Sequence, residues 1–116
     1  MNNVVLDKSF DFAVRIVKLC KHLRSKYQDY SLCNQLFRCG TSIGANIAEA
    51  QEAQSTADFV SKLSIALKES SETDYWLRLM NATDYLSQKE FASLIADCRE
   101  LEKLLISIIN TSKKQN

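Results

Sequence analysis

Ser42 lies in the pentapeptide Gly40-Thr-Ser-Ile-Gly44, which matches the G-x-S-x-G pattern around the nucleophile of many hydrolases. That chemistry needs a strand before the serine, a helix after it, and a histidine base held by a carboxylate. Here the pentapeptide lies inside a helical pattern of apolar residues, and His22 is the single histidine of the chain. We therefore predict that the protein is not an enzyme.

The four cysteines could in principle bind a metal, but Cys20, Cys33, Cys39 and Cys98 form no C-x-x-C pair. A structural zinc site needs four closely spaced ligands, so we expect no metal, no other cofactor and no small-molecule substrate. The first residues contain no basic segment followed by an apolar one, so we expect no signal peptide, and no apolar run approaches the ~20 residues of a membrane span. We expect buried thiols in a reducing, cytoplasmic compartment and no membrane association.

The composition indicates which elements position these residues. The chain has 116 residues, with 46% hydrophobic and 25% charged residues, two glycines and no proline. These are values of one globular domain, residues 1–116, and they exclude the turn-rich sandwiches, barrels and disulfide knots. The remaining possibility is an all-α fold with short polar connections.

Capping residues and apolar spacing predict four helices, over about residues 8–26, 31–52, 55–81 and 87–111. Asp7 or Ser9 would cap the first, Ser55 with Asp58 the third, and the capping box Ser87-Gln-Lys-Glu90 the fourth. Connections this short join antiparallel neighbours. We predict an antiparallel up-down-up-down four-helix bundle.

Helix 1 carries two apolar stripes, which together cover more than the face that a bundle helix must bury. One consists of Phe10, Ala13, Val14, Val17 and Cys20, and the other of Phe12, Ile16, Leu19, Leu23 and Tyr27. Helix 3 places Ile65 and Trp76 apart from its core stripe. Soluble monomers seldom expose such patches, so we predict an oligomer interface, unless tails or loops cover these residues, made by Phe12, Ile16, Leu19, Leu23, Ile65 and Trp76.

Helix 2 combines a row of small residues with a row of polar ones. Gly40, Gly44 and Ala48 recur every four residues, and two glycines inside a helix indicate close packing against a neighbour or a ligand. The polar seam on the same helix consists of Gln35, Arg38, Ser42, Asn46 and Glu49. It could bond across a subunit interface, brace helix 3 near Ser70 and Thr73, or bind a small polar ligand or a phosphate; we favour a structural role.

Helix 1 also carries a basic stripe of Lys8, Arg15, Lys18, His22 and Lys26. Repeated around a ring of subunits, this stripe could follow a phosphate backbone. Any surface helix shows basic residues opposite an apolar face, however, and aromatic residues do not interleave with these, so base stacking has little support.

Residues 35–50, QLFRCGTSIGANIAEA, resemble the signature of the family named after proteins encoded in intervening sequences of 23S ribosomal RNA. Residues 59–77, FVSKLSIALKESSETDYWL, resemble that family's second block. The chain departs from the pattern at Phe37, Cys39 and Ala50. The resemblance assigns signature positions of undetermined role to Arg38, Ser42, Asn46, Glu49, Phe59 and Glu72.

This resemblance implies a bacterial, cytoplasmic four-helix bundle without enzyme activity, assembled in similar members into a ring of five. A related branch, the accessory proteins of diversity-generating retroelements, binds nucleic acid and a reverse transcriptase, but its members are strongly cationic, whereas this chain has a net charge of +1. We therefore predict a homo-oligomeric, pentameric scaffold or adaptor, whose further partners would be RNA or a nucleic-acid-associated protein. The alternative is an RNA-binding accessory protein that uses the basic stripe.

Overall fold

The computed structural model describes residues 3–28 and 30–115 and shows four α-helices. They are α1 (Asn3–Lys26), α2 (Ser31–Ala50), α3 (Thr56–Ala82) and α4 (Gln88–Lys114). Each helix packs against its two neighbours in a square arrangement, with α1 closing against α4. The predicted all-α four-helix bundle is confirmed, in a rod that measures 48 × 21 × 19 Å.

The boundaries differ from the predicted ones mainly at the first helix. Val5 is fully buried, so the apolar pattern continues toward the N-terminus and α1 begins before both expected caps. Ser9 lies inside the helix, where its hydroxyl donates to the Leu6 carbonyl at 2.9 Å. α4 also runs past its predicted end near residue 111, because Ile109 is still packed in the core.

The core runs along the centre of the bundle and contains apolar residues from all four helices. Its largest fully buried side chains are Phe12, Ile16, Leu23, Leu36, Ile43, Ile47, Leu63, Leu77, Met80, Leu101, Leu105 and Val5. Burying each such side chain stabilises the fold by about 1.5–3 kcal/mol. The hydroxyls of Ser70 and Thr73, also buried, donate to carbonyls of their own helix, so their burial leaves no donor unpaired.

The interface prediction is wrong for α1. Phe12, Ile16, Leu19 and Leu23 are buried inside the single chain, where they face the other three helices. The other stripe, which begins with Phe10, is the one at the surface: Phe10 is 68% exposed, and of the five residues of this stripe only Cys20 is buried. α1 therefore has more apolar residues than the core buries, but the exposed ones belong to the stripe of Phe10 and not to the stripe of Phe12.

The close approach of α1 to α2 explains which stripe is inside. A Cβ atom on Gly40 would lie 3.0 Å from two side-chain carbons of Ile16, and one on Gly44 would lie 3.2 Å from the Ser9 carbonyl oxygen. Ile16 and Ser9 of α1 can lie this close to α2 only because α2 has glycine, without a side chain, at the two facing positions. The predicted role of the two glycines in close helix packing is confirmed.

All four cysteines are buried, and each is a thiol rather than half of a disulfide bond. Burial raises the pKa of the Cys20 thiol to about 11, and burial likewise raises the pKa of Cys98, whose thiol donates to the Ser70 carbonyl at 3.3 Å. A thiol that stays protonated is a poor nucleophile and a poor metal ligand. These cysteines act as small core residues.

The predicted caps of α3 and α4 are confirmed. The Ser55 hydroxyl accepts from the Asp58 amide at 3.0 Å, and the Ser87 hydroxyl accepts from the Glu90 amide at 3.1 Å. The Glu90 carboxylate in turn accepts from the Ser87 amide at 3.1 Å, which completes the capping box.

The turn after α3 contains a strained residue. Asp84 has a φ of 67°, in the left-handed region that favours glycine. The Tyr85 amide donates to the Met80 carbonyl at 2.9 Å and the Asp84 amide to the Asn81 carbonyl at 3.4 Å. This is the Schellman arrangement that ends many helices, with aspartate in the usual place of glycine.

We expect Asp84→Gly to raise the free energy of unfolding by about 0.5–1 kcal/mol, because glycine adopts this conformation without a steric penalty. Urea denaturation followed by circular dichroism measures the change. Asp84→Ala is the matched control and should be less stable than the wild type, since alanine keeps the Cβ and lacks the short polar side chain that lets aspartate tolerate the left-handed region better than most residues. Equal stability of the two variants would show that the turn is unstrained.

Candidate functional site

The polar seam of α2 is engaged with α3 along the outside of the bundle. Arg38 reaches two carboxylates on α3, with Nη2 2.6 Å from Glu72 Oε2 and Nη1 3.3 Å from Glu69 Oε2. Further along, Lys62 Nζ of α3 lies 3.1 Å from Glu49 Oε2. The indole Nε1 of Trp76 donates to Glu72 Oε1 at 3.4 Å, so one carboxylate joins Arg38 to Trp76.

The two neutral residues of the seam bond to their own helix. The Ser42 hydroxyl donates to the Arg38 carbonyl at 2.6 Å, and the Asn46 amide donates to the Ser42 carbonyl at 2.8 Å. The seam thus braces the exposed edge of α3 through Arg38 and Glu49, rather than the buried Ser70 and Thr73. Gln35 is exposed.

Of the two other signature positions, Glu72 receives the Arg38 guanidinium described above. Phe59 is half-buried near the start of α3. There it lines a cleft of about 710 Å³ between the α2–α3 turn and the end of α4, together with uncharged residues such as Gln54 and Thr111. The signature residues therefore do not converge on one pocket.

The hydrogen bond from Arg38 lowers the pKa of Glu72 below its ordinary value of 4.5. The folded protein keeps Glu72 charged at a pH at which the unfolded chain already binds a proton, so the pair stabilises the fold above pH 4.5. That stabilisation is lost as the pH falls through the lower, folded-state pKa. Because both side chains are partly exposed, its size is below about 1 kcal/mol.

We therefore expect Glu72→Gln to be less stable than the wild type at about pH 7, with a difference that shrinks as the pH falls below 4.5 and vanishes once Glu72 is protonated in the folded protein. Urea denaturation at a series of pH values measures the difference between the two proteins. Glu52→Gln, at an exposed carboxylate of the α2–α3 turn, should differ little from the wild type throughout. A Glu72→Gln deficit that persists undiminished in acid would contradict the charge pairing.

The basic stripe of α1 faces α4, and its N-terminal part is neutralised there. Lys8 Nζ lies 2.8 Å from Glu100 Oε1, and Arg15 Nη1 lies 2.5 Å from Asp97 Oδ2. Lys18, His22 and Lys26 are exposed at the other end of the helix.

Aromatic rings do gather at that end, contributed mostly by other parts of the chain. Tyr27 packs against Tyr85 with 4.7 Å between ring centroids, and Lys26 Nζ lies 5.4 Å from the Tyr27 centroid. Tyr30 is exposed nearby in the α1–α2 connection. The sequence pattern missed this cluster because Tyr85 and Tyr30 lie outside α1.

An apolar groove runs between α1 and α2 on the outside of the bundle. We call it the α1–α2 groove; it encloses about 780 Å³ and is lined by Leu6, Asp7, Ser9, Phe10, Asp11, Ala13, Thr41, Gly44, Ala45 and Ala48. This groove is not among the sites predicted from the sequence. The signals were present, since the small residues of α2 recur every four positions and Phe10 belongs to an apolar stripe.

A second apolar surface lies on α3, where Ile65 is 41% and Tyr75 is 50% exposed. Ile65, Lys68 and Tyr75 share one strip of the helix by their spacing, and we call this strip the α3 ridge. Trp76 beside it is half-buried and meets the Tyr75 ring edge-on at 5.1 Å. Of the residues predicted at an interface, only Ile65 and Trp76 are thus at the surface.

The hydrolase-like pentapeptide lies in the middle of α2, and the element that precedes α2 is the helix α1, not a strand. The Ser42 hydroxyl donates its hydrogen bond to the Arg38 carbonyl. The single histidine, His22, lies on α1, where it lines a cleft together with Glu90 and Leu94. Residues 3–28 and 30–115 contain no cluster of three potential metal ligands. Nor does any helix in this part of the chain have the length and apolar character to cross a bilayer.

The family model described as 23S rRNA-intervening sequence protein matches residues 1–107. The chain belongs to this family. The resemblance of the two sequence blocks to that family is thereby confirmed. None of the curated proteins compared with the chain matches it.

A solved member supports both the fold and the family. The chain is similar to a crystal structure, at 1.70 Å resolution, of a protein with unknown function from the S23 ribosomal protein family of Bacteroides thetaiotaomicron VPI-5482. The two share 54% sequence identity over 91% of this chain and 98% of the other, with a TM-score of 0.90.

Proposed function

We propose that the protein is a non-catalytic scaffold of the bacterial cytoplasm that acts as a homo-oligomer, in a ring of five copies as the family resemblance implies. The observation that carries this proposal is the pair of exposed apolar surfaces, the α1–α2 groove with Phe10 and the α3 ridge with Ile65 and Tyr75. Soluble monomers seldom leave surfaces of this kind uncovered. An assembled ring would present repeated outer faces to RNA or to a nucleic-acid-associated protein.

The internal bonding of the signature residues supports a structural role for them. Arg38, Glu72 and Glu49 hold α2 and α3 together, and Ser42 and Asn46 bond within α2. None of these contacts prepares a nucleophile or an acid–base pair, which would need a base within hydrogen-bonding reach.

Analytical ultracentrifugation at micromolar concentration tests the assembly. We expect a species several times heavier than the 13.2 kDa chain. Phe10→Glu should dissociate it and keep the helical circular dichroism, because this side chain is outside the core. Ala96→Glu, which places the same charge on an exposed position of α4, should leave the assembly intact. A wild type that sediments only as a single chain contradicts the proposal.

A second candidate function is RNA binding at the end of the bundle where Lys18, His22 and Lys26 are exposed near the exposed ring of Tyr30, beside the half-buried pair Tyr27 and Tyr85. Cations and aromatic rings together suit a nucleic acid, since the cations contact phosphates and exposed rings stack on bases. The Glu90 carboxylate lies among these cations, and its pKa is lowered by hydrogen bonds with Ser87 and by the nearby His22 and Lys26.

Retention of a structured RNA at several salt concentrations tests this candidate. Binding should weaken steeply as salt rises and be lost when Lys18 and Lys26 are both changed to glutamate. In the matched control, Lys113 and Lys114 at the end of α4 are both changed to glutamate, so that the net charge falls by the same amount. This variant should bind RNA nearly as well as the wild type. Equal loss in both variants would indicate an effect of net charge alone.

A further inference from the structure

The two apolar surfaces differ in shape. The α1–α2 groove is concave, because its α2 wall consists of Thr41, Gly44, Ala45 and Ala48, three of which have little or no side chain. The α3 ridge is convex, since Ile65 and Tyr75 lie on the outer side of a helix, where they are 41% and 50% exposed. A surface that packs against an identical copy of itself would need concave and convex parts together. The concave groove and the convex ridge are therefore more complementary in shape to each other than either surface is to its own copy.

They also differ in charge. Asp7 and Asp11 are exposed at the α1 side of the groove, and Lys68 is exposed between Ile65 and Tyr75 on the ridge. Within residues 3–28 and 30–115, none of these three side chains forms an ion pair, whereas Lys8, Arg38 and other nearby charges do. Opposite charges at facing rims favour one docking orientation over others.

Both surfaces border α2, from opposite sides. The groove lies between α1 and α2, and the ridge is on the part of α3 next to Glu69 and Glu72, which bond to Arg38 of α2. One copy can therefore offer its groove to one neighbour and its ridge to another. A contact between two unlike surfaces repeats from copy to copy and closes a ring when the rotation allows it.

We propose that the α1–α2 groove of one copy receives the α3 ridge of a second copy, with Lys68 of the second facing Asp7 and Asp11 of the first. This inference rests on the proposed self-association and specifies its interface. It predicts a head-to-tail contact, in which Phe10 and Ile65 never meet their own equivalents.

Mixing two assembly-deficient variants tests the contact. Phe10→Glu damages the groove and keeps the ridge, whereas Ile65→Glu damages the ridge and keeps the groove. Each variant alone should be a folded monomer, because one damaged surface in every copy removes every contact. The two together should form a 1:1 dimer through the one groove and the one ridge that remain intact.

The outcomes separate this inference from the proposed function. If the wild type is itself a monomer, self-association fails and the inference with it. A wild type that assembles while one variant by itself still forms dimers indicates a contact between like surfaces and overturns the inference alone. Two monomeric variants that stay monomeric on mixing overturn it as well, because the groove and the ridge that remain intact then do not bind each other. Variants that assemble as well as the wild type overturn it too, because the interface then lies elsewhere.

A charge exchange gives a second test that leaves the apolar side chains in place. Lys68→Glu should weaken assembly about tenfold or more, since it brings a third negative charge to the two aspartates. Adding Asp7→Lys and Asp11→Lys to the same chain should restore most of the loss, because each contact then has its charges reversed on both sides. Lys103→Glu, at an exposed position of α4, is the matched control and should assemble normally. Failure of the added lysines to restore assembly contradicts the facing of these charges.

Discussion

Replacing Phe12 with alanine is expected to lower the free energy of unfolding by about 3–5 kcal/mol. The Phe12 ring is 1% exposed and lies in the core shared by the four helices, so its removal leaves a cavity. Urea denaturation followed by circular dichroism measures the loss. We expect the loss to be the same at every protein concentration, because Phe12 acts within one chain.

Phe10→Ala is the matched control, two residues away on the same helix. Phe10 is 68% exposed, so its replacement should change the stability of the single chain by less than about 0.5 kcal/mol. Any larger effect should grow with protein concentration, since it would come from lost association. A Phe10→Ala loss as large as that of Phe12→Ala at low concentration would mean that the two stripes of α1 are assigned the wrong way round.

Gly40→Val is expected to destabilise the protein by about 3 kcal/mol, the upper end of the range for overpacking a core. Valine is ordinarily a better helix former than glycine, so the helix itself should gain. The cost arises because even the Cβ would lie 3.0 Å from Ile16, which is fully buried and has no room to move. The change is measured as the shift in the urea midpoint.

Two further variants isolate the cause. Ala96→Val introduces the same side chain at an exposed position of α4 and should cost less than about 0.5 kcal/mol. Combining Gly40→Val with Ile16→Ala should cost less than the sum of the two single changes, because the smaller residue leaves space for the added methyl groups. Strict additivity would exclude a clash between these two positions.

Most of the local structure followed from the sequence. Ser55 and the Ser87–Glu90 box mark two helix starts by their hydrogen-bonding chemistry, and such signals act over three or four residues. The start of α1 was placed too late because Asp7 and Ser9 are good capping residues. Burial of Val5 against the other helices decided that boundary, and no local pattern reports such a contact.

The candidate site was predicted less completely. The polar seam was recognised by spacing, yet its partners Glu69 and Lys62 are on another helix, so the two ion pairs could not be derived from α2 alone. The neutralisation of Lys8 and Arg15 by α4 was missed for the same reason. The groove combines residues of two helices, and each helix shows only one of its walls.

The sequence by itself determined four amphipathic helices, their short connections, the family, and the fact that α1 is more apolar than one buried face requires. Those properties depend on composition and on spacing along the chain. Only the tertiary structure decided which stripe of α1 is inside, because Phe10 and Phe12 are equally hydrophobic and lie on two stripes that could each have formed the core face. The missing side chains at Gly40 and Gly44 let α1 settle with Ile16 and Ser9 against α2, and that single rotation buries Phe12 and leaves Phe10 in solvent.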